Sequence, residues 1–235
     1  MFKKNICVIA VLALFTGCVQ KDFSMNSYDL SNHWFNVKSL NDNKVVLNKN
    51  FTEQYNDGSR TSTYTDFNLY KKSNIDLNQV EQYTFFEDIN KQNYKTMLSN
   101  KSVDLKYNIF QNEIKEKFYV DEQQISSYKR NIRIKDKVIE ENDIDGNMLI
   151  CTFSNYYENM SIKDKINEFF KSKYSVKNKD YKNVIELSCQ DSYVDGEYHI
   201  YMAKDIGIVL FMRKDKDDGS LEESFSILDT QTILD

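Results

Sequence analysis

"NVIELSCQDSYVDGEYHIYMAK", residues 183–204, is the stretch that decides the fold. Apolar and polar side chains alternate on both sides of Asp195-Gly196, and Asp-Gly suits the positive-φ positions of a tight turn. The stretch therefore predicts two strands joined in an antiparallel hairpin. Two further strand patterns follow, "IVLFMR" at 208–213 and "SLEESFSIL" at 220–228, which extends the prediction to a carboxyl-terminal meander of four antiparallel strands.

The same alternation recurs through the earlier part of the chain. The segments are "KVVLN", "RTSTYTDFNLY", "VEQYTFF", "SVDLKYNIF", "EIKEKFYV" and "NIRIKDKVI". Proline is absent and alanine is rare, whereas β-branched and aromatic residues are abundant, a composition that favours strands. We therefore predict a mainly β protein of the α+β type, built on an antiparallel sheet.

One segment has the pattern of a helix. In "SIKDKINEFFKSKY", residues 161–174, Ser161 is followed three residues later by Asp164, as in a capping box. The apolar residues of the segment fall on one helical face; they are Ile162, Ile166, Phe169 and Phe170. The pattern predicts one helix at about 161–174 that covers the sheet.

The amino end has the pattern of an export signal. Lys3 and Lys4 precede the apolar run "ICVIAVLALF", which is too short to span a bilayer, and the small pair Thr16-Gly17 leads to Cys18. The motif "FTGC" resembles the lipobox of bacterial lipoproteins. That resemblance implies that the thiol of Cys18 is acylated and that the leader is cut just before it. A plain secretory signal and an uncleaved anchor are the alternatives.

The resemblance implies a division of the chain into three parts. Residues 1–17 would be the signal peptide, 18–27 the lipidated cysteine with a polar tether, and 28–235 a β-rich extracytoplasmic domain. A split of that domain into two sub-domains near residue 140 is left open. In a cell with two membranes, Val19 after the cysteine favours the outer membrane, facing the periplasm, because Asp is the usual signal for inner-membrane retention.

The net charge of the chain limits the classes of partner that it is expected to bind. The net charge is −5, and removal of the leader takes away two lysines and no acid, which makes it −7. An acidic domain is a poor candidate for binding nucleic acid or anionic lipid surfaces. No later apolar run approaches the length of a membrane span, so the lipid on Cys18 would be the only membrane attachment.

Two cysteines remain in the domain. Cys151 is in phase with Leu149 and Phe153, and Cys189 is in phase with Leu187, so each lies on the apolar face of a predicted strand. An even pair in an oxidising compartment predicts a disulfide. Two buried free thiols are the alternative, since cysteine packs like a small hydrophobic residue.

The sequence predicts no metal, cofactor or catalytic site. His33 and His199 are the only histidines, and zinc, nucleotide-binding and serine-hydrolase motifs are absent. The turn "ENDIDGN" has the acidic spacing of a calcium loop, but Thr152 stands where the bidentate glutamate is needed. A solvated hairpin turn explains that segment better.

A second resemblance concerns "YMAKDIGIVLF", residues 201–211. The segment is similar to one near the carboxyl end of uncharacterised β-rich bacterial lipoproteins. The similarity implies a turn into a buried strand, with Gly207 at the bend, and no catalytic residue.

These observations favour a membrane-anchored, non-enzymatic lipoprotein of the cell envelope. It would bind an envelope protein or an amphiphile, or assist envelope assembly and maintenance. Sixteen tyrosines and fifteen phenylalanines could line a site for an acyl chain or glycan, although core packing is the commoner use. The alternatives are a lipid or amphiphile carrier and an envelope-polymer hydrolase that uses acids such as Glu140 and Asp143.

Overall fold

The structure is a computed structural model that describes most of the chain after residue 43. The described residues are 33, 40, 44–73, 79–110, 113–120, 123–133, 138–142, 148–171, 174–191, 196–217 and 220–235. The predicted leader, Cys18 and the tether lie outside them.

Twelve β-strands follow one another along the described part of the chain. Their bounds are β1 Val45–Asn56, β2 Ser59–Lys72, β3 Gln79–Phe85, β4 Leu105–Phe110, β5 Glu113–Val120, β6 Gln123–Arg133, β7 Val138–Asn142, β8 Met148–Ser161, β9 Asp180–Asp191, β10 Gly196–Ala203, β11 Gly207–Asp217 and β12 Ser220–Leu234. Each strand pairs antiparallel with the next, and β12 pairs with β1, which closes the sheet into a barrel.

The predicted fold class is confirmed. The protein is mainly β, and strands β9 to β12 form the predicted meander, with Tyr198 opposite both Cys189 and Arg213 and with Leu210 opposite Ile227. The strand β7 pairs with both of its neighbours, so the sheet continues without interruption through residue 140.

Two helices of six residues or more are described, α1 (Tyr94–Ser99) and α2 (Ile162–Phe170). The helix α2 begins where the sequence predicts, and Ser161 Oγ accepts a hydrogen bond of 3.2 Å from the Asp164 backbone N–H. It ends four residues before the predicted end, because Lys171 adopts a left-handed conformation with φ of 54°. Neither of these described helices is long and apolar enough to cross a membrane.

One cluster of buried side chains identifies the interior of the barrel. This cluster contains side chains from strands that are not neighbours in the sheet, since Val46 and Val80 pack with Ile185 and Met202. Side chains on opposite walls of a barrel meet in this way. Because successive side chains of a strand point to opposite faces, the other two clusters lie on the outer face. The helix α2 covers one of them with its three buried side chains, Ile162, Ile166 and Phe170.

Neighbouring strands alternate in direction, so their connections alternate between the two ends of the barrel. We call the end where β1 begins and β12 ends the proximal end. The chain approaches the sheet there. His33 Nε2 lies 3.1 Å from the Asn183 carbonyl oxygen, and Lys44 Nζ lies 3.8 Å from Asp235 Oδ1. The turns that connect β1 to β2 and β11 to β12 lie at the opposite, distal end.

Candidate ligand-binding groove

The structure brings the two predicted domain cysteines together inside the barrel. Cys151 and Cys189 are opposite one another on β8 and β9 and form a disulfide with an S–S distance of 2.04 Å. Both are buried within the interior cluster. Of the other residues weighed from the sequence, Cys18 and Asp143 lie outside the described residues.

Part of the interior wall formed by β1, β2 and β3 is polar, but the polar side chains bond to one another. Asn50 Nδ2 donates to Asp66 Oδ2 at 2.9 Å, and Gln82 Nε2 donates to Asn68 Oδ1 at 2.7 Å. Thr84 Oγ1 also donates to Asn68 Oδ1, at 2.7 Å. These groups satisfy one another's hydrogen-bonding capacity, which is what buried polar side chains require. The outer face is therefore where a ligand site is expected.

A groove of about 570 Å³ lies on the outer face, where β1, β2 and β12 meet the segment 175–179. Its volume falls within the range of about 300–1,000 Å³ that is typical of small-molecule sites. The lining residues are Lys49, Phe51, Thr65, Ser175, Val176, Lys177, Asn178, Lys179, Ile227, Asp229 and Thr230.

The segment 175–179 reaches the groove because the chain turns sharply after α2. Three hydrogen bonds hold the returning segment at the sheet. Tyr174 OH donates to Glu223 Oε2 at 2.7 Å, Lys179 Nζ donates to the Leu228 carbonyl at 3.1 Å, and Ser161 Oγ donates to Asn178 Oδ1 at 2.8 Å. Two of these bonds anchor the segment to β12.

The floor of the groove is apolar. Ile227 is buried, and Phe51 and Val176 are partly buried against the same outer cluster. A partly exposed apolar floor of this kind gains free energy, about 25 cal/mol per Å², when a hydrocarbon group covers it. The floor therefore suits the alkyl or aromatic part of a ligand.

The rim of the groove is basic. It carries Lys49, Lys177 and Lys179 against one acid, Asp229, in a chain whose net charge is −5. Lys49 Nζ lies 3.8 Å from Asp229 Oδ2, whereas Lys177 is exposed and has no acid partner among the described residues. The pKa of Lys179 is lowered, chiefly by burial. The rim therefore favours an anionic group on the ligand.

A second polar cluster lies on the outer face beneath α2, around Glu186. This buried carboxylate accepts hydrogen bonds from Tyr201 OH at 2.9 Å and from Tyr157 OH, and its Oε1 lies 2.8 Å from His199 Nδ1. Burial by itself would raise the pKa of Glu186, but the bonds from His199 and the two tyrosines outweigh it and lower the pKa.

His199 has a carboxylate at each of its ring nitrogens. Its Nε2 lies 3.0 Å from Glu197 Oε1, and the Phe169 ring of α2 packs edge-on with its centroid 4.8 Å away. Burial opposes protonation, but the two carboxylates raise the pKa of His199 above its ordinary value. Ser188 is opposite His199 in the sheet, yet the nitrogen that could activate a serine faces Glu197. The cluster therefore forms an ion pair against which α2 packs.

The sequence patterns indicated neither the groove nor the Glu186 cluster. The segment "SVKNKDYK", 175–182, does mix lysines with apolar residues, but nothing local indicates that it returns to β1 and β12. No group of His, Cys, Asp or Glu in the described part of the chain is arranged to hold a metal ion. The chain matches no protein-family model, no curated protein and no solved structure.

Proposed function

We propose that the protein is a lipid-anchored, non-enzymatic protein of the bacterial envelope that binds a single-chain anionic amphiphile in the groove. The anchor is the lipid on Cys18 that the "FTGC" motif implies. The groove supplies the binding chemistry, with the chain of the ligand on the apolar floor and its head group on the lysine rim.

One observation carries this proposal. An apolar floor of Phe51, Val176 and Ile227 is bordered by three lysines and a single acid on an otherwise acidic protein. A purely apolar ligand would leave the lysines unused, and a small hydrophilic anion would leave the floor uncovered. An anionic amphiphile satisfies both parts of the groove.

The test is a titration of the intact protein with three probes that share one alkyl chain. The probes are laurate, its neutral methyl ester and the cationic dodecylamine, and the measurement is calorimetry below the micelle concentration. We expect laurate to bind more tightly than the ester and the ester more tightly than the amine. Equal affinity for all three, or no binding of laurate, would overturn the proposal.

Variants locate the site. Lys177→Glu reverses an exposed charge on the rim and should weaken laurate binding by roughly threefold to tenfold, while the methyl ester is unaffected. Val176→Asp places a carboxylate on the floor and should weaken both ligands. Lys163→Glu is the matched control, because Lys163 is an exposed lysine of α2 that does not line the groove. An equal loss with Lys163→Glu would contradict the assignment.

A further inference from the structure

At the proximal end of the barrel, the amino-terminal part of the chain contacts the sheet next to exposed lysines. The backbone N–H of Lys204 donates to the Asn183 carbonyl at 3.1 Å, and His33 Nε2 lies 3.1 Å from that same oxygen. Lys182 directly precedes Asn183, so two lysines lie where the amino-terminal part of the chain meets the sheet. Both are exposed, and neither has an acid partner within salt-bridge distance among the described residues.

The charge at this end is locally positive. Asp229 and Asp235 are each 3.8 Å from a lysine, Lys49 and Lys44. The other acids of this region are Glu158, Asp164, Asp180 and Asp205. Five lysines lie near them, so the region keeps a small positive charge; they are Lys163, Lys177, Lys179, Lys182 and Lys204. The acidic character of the chain as a whole therefore does not extend to its proximal end.

The same end exposes apolar side chains. Ile208 near the start of β11 is 39% exposed, and Ile233 near the end of β12 is 44% exposed. The two strands are linked there, since Gln231 Nε2 donates to the Ile206 carbonyl at 3.0 Å. Lysines interspersed with exposed aliphatic side chains are the composition of surfaces that lie in the interfacial region of a bilayer.

We infer that the proximal end, through the surface formed by Lys182, Lys204, Ile208 and Ile233, docks on the anionic head groups of the membrane to which Cys18 is anchored. The inference rests on the anchor of the proposed function. His33 follows Cys18 by fifteen residues in the sequence, and it contacts Asn183 at this end of the barrel. The groove shares this end of the barrel through Lys179 and Thr230, and docking therefore lets an amphiphile pass from the leaflet to the groove.

The test uses the intact, lipidated protein in vesicles of phosphatidylcholine, with or without phosphatidylglycerol. A membrane-impermeant amine-acetylating reagent is added, and mass spectrometry gives the rate of modification of each lysine. We expect Lys182 and Lys204 to react at least about fivefold more slowly in the anionic vesicles, the factor that corresponds to about 1 kcal/mol for a lysine near an anionic surface. Lys171 is the control, because it is exposed at the end of α2, next to Phe170 and Lys214 toward the distal end, and it should react equally in both.

Each outcome separates this inference from the proposed function. Equal rates for Lys182 and Lys204 in both vesicles, or equal protection of Lys171, would overturn the docking inference even if laurate binds. Protection of Lys182 and Lys204 without laurate binding would overturn the groove and leave docking supported. The variant Ile208→Ser/Ile233→Ser should reduce the protection and leave laurate binding unchanged.

Discussion

Glu186 Oε1 and His199 Nδ1 lie 2.8 Å apart on neighbouring strands, beneath helix α2. The pKa of the histidine is raised and that of the glutamate is lowered, because each group favours the charged form of the other in spite of burial. The stabilisation from His199 is complete below its unfolded pKa of about 6.5 and is lost as the pH rises through its raised folded pKa. The stabilisation from Glu186 is complete above about 4.5 and is lost as the pH falls through its lowered folded pKa.

The first prediction concerns His199→Gln. The pair stabilises the fold most between about pH 4.5 and 6.5, so the variant should lose about 2 kcal/mol at pH 6, as expected for a hydrogen bond to a charged group. The loss should shrink as the pH rises above the folded pKa of His199. Urea unfolding at a series of pH values measures it. A loss that does not change with pH would show that the contact is neutral.

The second prediction concerns His33, whose pKa is shifted in the opposite direction to that of His199. Burial lowers its pKa to about 4, so His33 contributes most above its unfolded pKa of 6.5, and this contribution is lost as the pH falls. Between pH 6.5 and 4 the wild-type protein should lose roughly 3 kcal/mol through this group. His33→Gln should flatten that part of the pH profile and leave the part above pH 6.5 unchanged. If His33→Gln instead changed the profile above pH 6.5 and left the lower part unchanged, the roles assigned to His33 and His199 would have to be exchanged.

The third prediction concerns Cys151 and Cys189. Alkylation of the unfolded protein without reductant should modify neither cysteine. The variant Cys151→Ser/Cys189→Ser should unfold at lower urea concentration, with a loss of up to about 4 kcal/mol in the chain-entropy account. Reductant should shift the unfolding of the wild type but not of the variant. Alkylation of both wild-type cysteines would establish two free thiols instead.

The fourth prediction concerns Gly196, which faces the buried Asp215 across the hairpin. A Cβ at Gly196 would lie 2.2 Å from Asp215 Oδ1 and 3.0 Å from the Tyr198 ring. Gly196→Ala should therefore cost roughly 1–3 kcal/mol, as overpacking does. Gly58→Ala is the control for a glycine in open space, where only the positive φ of 79° opposes the change. Asp215 also pairs with Arg213, so the contact is tested by a double-mutant cycle. Gly196→Ala should cost less in the Asp215→Ala background than in the wild type, and an equal cost would argue against the contact.

The fifth prediction tests the anchor. Cys18→Ser should move the protein from the membrane fraction to the soluble fraction or leave an unprocessed precursor, because the acyl chains supply the attachment. Cys7→Ser, inside the predicted leader, should change nothing. The mass of the purified wild-type protein should show that residues 1–17 are gone and that Cys18 carries lipid. Retention of the initiator methionine would refute the lipoprotein assignment.

Local patterns were sufficient to predict most of the strands and the start of α2. The segment 131–139, predicted as one strand, instead holds the end of β6 and the start of β7, which pair with each other. Asp-Gly turns and alternating side chains identify hairpins whose strands are close in sequence, as around Asp195-Gly196. Ser161 and Asp164 identify the helix start because the cap is a local hydrogen bond. The end of α2 was not predictable, because residue 171 adopts a left-handed conformation and lysine has no preference for that conformation.

The closure and the groove depend on distant pairings that no local pattern contains. The pairing of Val45 with Leu234 spans nearly the whole described chain, and the bond from Lys179 to Leu228 spans 49 residues. The Glu186 cluster, by contrast, could have been partly predicted from the sequence. Glu186, His199 and Tyr201 occupy one face of a hairpin whose register the turn partly fixes, so a count back from Gly196 places them together.

The pairing of β1 with β12 imposes an order on biogenesis. A strand whose partner lies almost two hundred residues downstream exposes its hydrogen-bonding edge until that partner has been synthesised. The rate of folding is then limited by loop closure over long sequence separations, and the early strands are prone to aggregation until β12 is available. Deletion of β12 would therefore leave β1 as an open edge, with aggregation as the outcome.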